Sequence, residues 1–132
     1  SSEKATSTIA TAILSLMKKH KIDWLMDLHE GLDYSTISDS SVGQSVIYMP
    51  GTSGSEKFAN NLATSVNKSI SKKAEKFDLL KYPTKGSLAR VAAEICDARS
   101  LIFETCRQDS LATRVALHRT ATVELLKYLG MK

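Results

Sequence analysis

The sequence predicts an α/β chain, and three observations carry the prediction. Apolar residues at helical spacing alternate with short apolar runs of strand length, in the order α-β-(loop)-β-α-β-α-β-α. Two of the runs, Ile22 to Leu28 and Ser100 to Phe103, are nearly continuous in apolar residues. That is the pattern of strands buried on both faces in a parallel or mixed sheet. Both runs deliver an ionisable residue at the carboxyl end, His29 in one and Glu104 in the other. Ligands in open α/β sheets bind beyond the carboxyl ends of strands. The expected architecture is three layers, α-β-α, around a mostly parallel or mixed sheet.

Each element has its own signal. Residues 2–19 read as an amphipathic helix, with Ile9, Ala12, Ile13, Leu16 and Met17 recurring at three- and four-residue steps. Lys18 and Lys19 suit the negative end of its dipole. The first strand follows at once. Residues 29–45 form a long polar loop, and loops of that length in a small domain are usually functional or mobile. Val46 to Met49 is a short strand stopped by Pro50-Gly51. A second helix opens at Ser55, its expected N-cap, carries Phe58, Leu62, Val66 and Ile70 on one face, and ends near Glu75. Phe77 to Leu80 is a short third strand. Ser87 to Ile95 is a helix with Leu88, Val91, Ala92 and Ile95 inward. After the fourth strand, a last helix spans Ser110 to Leu129, capped by Asp109 or Ser110. Its expected inward stripe is Leu111, Val115, His118, Thr122, Leu125, Leu126 and Leu129, and Gly130 stops it.

Size and composition bound the function. At 132 residues the chain makes at most one domain, and 42% hydrophobic content is enough for a core. No apolar run is long enough to cross a membrane, and the first residues have no signal-peptide design. The net charge of +4 is spread out. Its densest group (Lys68, Lys72, Lys73, Lys76) reads as a solvated helix face. The few aromatics sit inside apolar segments, which argues against a nucleic-acid platform. Cys96 and Cys106 form neither a disulfide framework nor a metal knuckle by spacing. Free thiols lean towards a reducing, cytoplasmic compartment.

His29 has two readings, a hydrogen-bonded structural residue or a metal ligand. Asp27, two residues earlier, points to the same side of the strand. Together with Glu30 it is a candidate carboxylate for the second ring nitrogen, which metal-bound histidines need. Glu104 is either salt-bridged to Arg99, Arg107 or Arg114, or a general base whose pKa is raised by burial. His118 reads as a satisfied core histidine and His20 as solvated. There is no phosphate loop, since Gly51-Thr52-Ser53-Gly54 lacks the lysine that would follow it. There is no nucleophile elbow either.

Two segments in order resemble a known family. Asp27-Leu28-His29-Glu30-Gly31, on a strand after an amphipathic helix, resembles the third zinc-ligand segment of the zinc carboxypeptidase superfamily. The succinylglutamate desuccinylase/aspartoacylase-like branch is the nearest match. Leu101-Ile102-Phe103-Glu104-Thr105, followed by Arg114-Val115 and a long helix, resembles its catalytic-glutamate strand and closing helix. The resemblance implies that His29 binds zinc and that Glu104 is the base that activates a zinc-bound water. The implied reaction is hydrolysis of a C-terminal peptide bond or an N-acyl amino acid. Arg107 and Tyr34 are candidate substrate contacts.

The match is incomplete. The family's His-x-x-Glu pair and its upstream substrate-binding arginine have no counterpart. Residues 1–132 are therefore expected to be the carboxyl-terminal part of a longer catalytic domain, inactive alone. Half a sheet exposes a strand edge, so self-association through that edge is expected. The competing class is a non-catalytic α/β binding or regulatory module that uses the basic helix of Lys68 to Lys76 on an acidic partner.

Overall fold

The computed structural model describes residues 7–131. One four-stranded sheet runs in the order β1-β4-β2-β3. Its strands are β1 (Trp24–Gly31), β2 (Ser45–Tyr48), β3 (Asp78–Lys81) and β4 (Arg99–Cys106). β1 is parallel to β4 and β2 to β3, while β2 and β4 are antiparallel. Four helices flank it: α1 (Thr8–Lys19), α2 (Ser55–Asn67), α3 (Leu88–Cys96) and α4 (Leu111–Tyr128). The α/β class, the element order and the mixed sheet are as the sequence predicts.

The two layers of helix follow from strand alternation. On one face Val46, Tyr48, Leu101 and Phe103 meet Phe58, Leu62 and Val66 of α2, and Leu117 and Ala121 of α4. On the other face Ile47 and Ile102 meet Ala89 of α3. Leu25 also points there and reaches Leu14 and Met17 of α1. Serine hydroxyls start three helices: Ser7 accepts from Ala10 N, Ser87 from Arg90 N and Ser110 from Thr113 N.

Helix α2 departs from expectation at both ends. Its N-cap is Gly54, in the left-handed region at φ 92°, not Ser55. Ser55 is the first helical residue, and its buried hydroxyl donates to the carbonyls of Met49 and Thr52. The helix stops at Asn67 because that side chain leaves the helical pattern to hold the backbone of Phe77. Its Nδ2 donates to Phe77 O (3.1 Å) and its Oδ1 accepts from Phe77 N (2.7 Å). Lys68 to Lys76 therefore do not form a basic helix. They lie on a connection with one 3-10 turn, Lys73–Glu75, where Lys72 pairs with Glu75.

Three helices present a different face from the one their periodicity suggests. In α1, Leu14 and Met17 are buried while Ile9 and Leu16 are exposed; residues 2–6 of the expected helix lie outside the described residues. In α4, Leu117 and Ala121 are buried while Leu111 and Val115 are exposed. In α3, Ile95 is exposed and Ala89 takes the inward place. Each of these helices carries an apolar arc wider than its contact with the sheet, and the neighbouring helix decides which part is covered.

The first strand is also not buried on both faces. Hydrogen bonds from Arg99 N to Asp23 O and from Arg107 N to Gly31 O put the odd-numbered carbonyls of β1 towards β4. The backbone groups of Trp24, Met26, Leu28 and Glu30 then face an open edge, with no partner strand among the described residues. Exposed Leu28, His29 and Glu30 mark β1 as the outer strand on this side.

Candidate functional site

Because β1 and β4 are parallel, their carboxyl ends meet at one edge of the sheet, and His29 pairs in register with Glu104. Both strands run further than the sequence suggests, to Gly31 and Cys106, so the two residues sit within the ladder rather than beyond it. Register partners point to the same face. His29 Nδ1 lies 3.6 Å from Glu104 Oε1, longer than a hydrogen bond. On the other side of the ring, Nε2 lies 2.9 Å from Asp27 Oδ2 and donates to it. The other ring nitrogen, Nδ1, faces Glu104.

Glu104 is 5% exposed, and its Oε2 is buried with no partner among the described residues. Burial pushes its carboxyl above the ordinary carboxylate range. The His29 ring opposes that shift and the Asp27 carboxylate adds to it. None of the three candidate arginines, Arg99, Arg107 and Arg114, neutralises Glu104. Arg114 donates to Glu30 Oε1 at 2.6 Å, and Arg107 lies 3.6 Å from Glu30 Oε2. Arg99 turns the other way, donating to Ser53 O and stacking over Trp24. An unpaired, buried carboxyl beside a half-exposed imidazole is an arrangement that can hold or move a proton.

The other expected site residues divide. Asp27 is in place beside His29. Glu30 is not: strand alternation turns it to the opposite face, where its carboxylate is held by the two arginines. Tyr34 is buried, and its hydroxyl donates to Asp109 Oδ1 at 2.6 Å. Burial first and Asp109 second push its pKa far up, so that hydroxyl is committed within the fold. Arg107 pairs with Glu30 rather than with Asp109, and its side chain is 61% exposed.

The long loop after β1 is neither extended nor loose. Gly43 N donates to Asp33 O and Ser35 N to Gly43 O, closing the loop on itself. A Cβ on Gly31 would lie 2.4 Å from Gly43 N, and one on Gly43 would lie 2.3 Å from Asp33 O. Only glycine permits that approach, which fixes the loop against the strand end that carries His29.

Two residues, Thr105 of β4 and His118 of α4, join the site although the sequence does not connect them to His29. The hydroxyl of Thr105 donates to the carbonyl of His29 (3.3 Å), and His118 Nε2 lies 3.2 Å from the same oxygen. His118 is thus a hydrogen-bonded structural histidine, as its place on the last helix suggests. Its partner, however, is the backbone of His29, and no spacing in the sequence relates residues so far apart.

Among the described residues, no three His, Cys, Asp or Glu side chains converge to hold a metal ion. His29, Asp27 and Glu104 do not fit a complete zinc site, because Asp27 already occupies Nε2 and the Nδ1 side offers only Glu104.

No family model matches the chain, and no curated protein matches it. Solved structures do. The chain is similar to Helicobacter pylori Csd4, a D,L-carboxypeptidase, in its mDAP-bound form (TM-score 0.75, 23% identity). Apo Csd4 gives a TM-score of 0.77 at 25% identity, and tripeptide-bound Csd4 gives 0.76 at 23%. Each match covers 92% of this chain and 34% of the Csd4 chain, so the chain spans about a third of the length of the structures it resembles.

Proposed function

We propose that this chain is the carboxyl-terminal part of a carboxypeptidase-like hydrolase that cleaves an amide in a peptide-like substrate. The observation that carries the proposal is the pairing of His29 with Glu104 across β1 and β4, at the sheet edge where such folds place their chemistry. A carboxyl that resists ionisation is a stronger base once ionised, and its pKa lies nearer the operating pH of a hydrolase. Glu104 is assigned that role. His29, its ring held by Asp27, is assigned the role of a zinc ligand through Nδ1. The remaining donors come from outside these residues. The likeness in fold to a D,L-carboxypeptidase supports a C-terminal peptide bond as the substrate over an N-acyl amino acid.

Two measurements test the reading. The 132-residue chain is expected to bind zinc weakly in a competition titration; tight, stoichiometric binding would overturn the incomplete donor set. In the protein that carries this segment with the other donors, release of a C-terminal amino acid from tripeptides is the assay. Glu104→Gln is expected to abolish release while leaving the metal content unchanged. Undiminished release would remove Glu104 from the chemistry.

A further inference from the structure

We propose that His118 and Thr105 are positioning residues that fix the ring of His29 by holding its backbone carbonyl from the opposite face of the sheet. The inference rests on His29 belonging to the site, but its test reads the ring itself and needs no turnover.

The need for such a device comes from the place of β1. Among the described residues it is an outer strand with one edge free, and its last residues Leu28, His29 and Glu30 are all exposed. Strand ends of this kind open locally at little cost. A histidine that must face a buried carboxyl 3.6 Å away needs its backbone held more firmly than one ladder provides.

The structure supplies the hold. Thr105 is fully buried and pairs with Glu30 in the register, so its side chain points away from the face of His29 and Glu104. From there its Oγ1 reaches His29 O at 3.3 Å. His118 Nε2 sits 3.2 Å from that carbonyl and 3.2 Å from Thr105 Oγ1. A carbonyl only accepts, so with Nε2 as the protonated ring nitrogen, two donors converge on one oxygen. Edge-on packing of the His118 ring against Phe103, with centroids 5.9 Å apart, sets its direction. One turn earlier on α4, Arg114 holds Glu30. The helix on one side of the sheet therefore grips two successive residues of β1, one of which presents its ring on the other side.

Nuclear magnetic resonance of chain labelled with 15N in histidine tests this. The wild type is expected to show one set of His29 ring signals, with Nε2 protonated against Asp27. His118→Leu and Thr105→Val are expected to displace and broaden those signals while far-ultraviolet circular dichroism keeps its helical and strand content. His118→Gln, whose amide can donate to the same carbonyl, is expected to restore the wild-type pattern. Unchanged His29 signals in the folded Leu and Val variants would overturn the proposal. So would equal displacement in the Gln and Leu variants, because packing rather than the hydrogen bond would then be responsible. If His118→Leu does not fold, Thr105→Val decides alone, since it removes only the hydroxyl and keeps the branched shape.

Discussion

Replacing Glu104 by glutamine should make this protein more stable at neutral pH. The residue is buried, its Oε2 has no partner among the described residues, and no arginine pairs with it. A buried polar atom without a partner costs about 1–3 kcal/mol, and a charged one costs more. Glutamine keeps the shape and still leaves one buried polar atom without a partner, but it removes the charge, so the gain is the extra cost of burying an ionised group over a neutral one. A gain of about 1–3 kcal/mol at pH 7 follows, worth roughly 4 °C or more in Tm for a domain of this size.

The pH dependence has a definite sign. Burial raises the folded-state pKa of Glu104 above the ordinary value of 4.5. Between 4.5 and that raised value, the folded chain keeps a proton that the unfolded chain has lost. Stability therefore falls as pH rises through this window, and the loss is complete above the folded pKa. Below 4.5 both states are protonated, and wild type and Glu104→Gln should converge. Urea denaturation of both proteins at pH 4 and pH 7 measures the difference directly, with other titrating groups cancelling between them. A glutamine variant that is less stable at pH 7, or a gap that does not shrink at pH 4, would refute the reasoning. A buried carboxylate kept at a cost to stability is what a working site residue looks like, since function and stability often oppose each other there.

Three other outcomes follow from the packing. Gly43→Ala should destabilise by about 1–3 kcal/mol in urea, because its Cβ would strike Asp33 O and crowd Cys106. Asn67→Ala should cost about 1–3 kcal/mol by leaving the N–H and C=O of Phe77 without their side-chain partner, and Asn67→Asp, which keeps only the acceptor, should cost less. The open edge of β1 should make the 132-residue chain self-associate with rising concentration in sedimentation velocity, and Leu28→Lys should reduce it. A concentration-independent monomer would show that the edge is blunted by other means.

Much of the fold is legible in the sequence because period and termination are local properties. The α/β order follows from runs such as Val46 to Tyr48 bounded by Pro50-Gly51, and from Ser87 and Ser110 placed before helical patterns. Helix faces were less legible. Leu111 and Val115 fit an apolar stripe as well as Leu117 and Ala121 do, and only packing against α2 and the sheet chooses between them. The end of α2 is not legible locally, because Lys68 to Lys76 keep helical spacing while the stop comes from Asn67 binding a backbone ten residues on.

The sequence places a histidine and a glutamate towards the carboxyl ends of two strands in an α/β sheet, with an aspartate on the histidine's side, although both strands run two residues further. Those facts follow from composition and from the two-residue repeat of a strand. Tertiary structure alone decided that the two strands are neighbours, parallel and in register, so that His29 faces Glu104. It also decided that Glu30 and Arg114 pair on the far face, that Tyr34 is spent on Asp109, and that His118 holds the carbonyl of His29. The physical reason is the same in each case. Strand pairing and helix docking bring together residues some seventy to ninety positions apart, and no local pattern in the chain encodes which of them will meet.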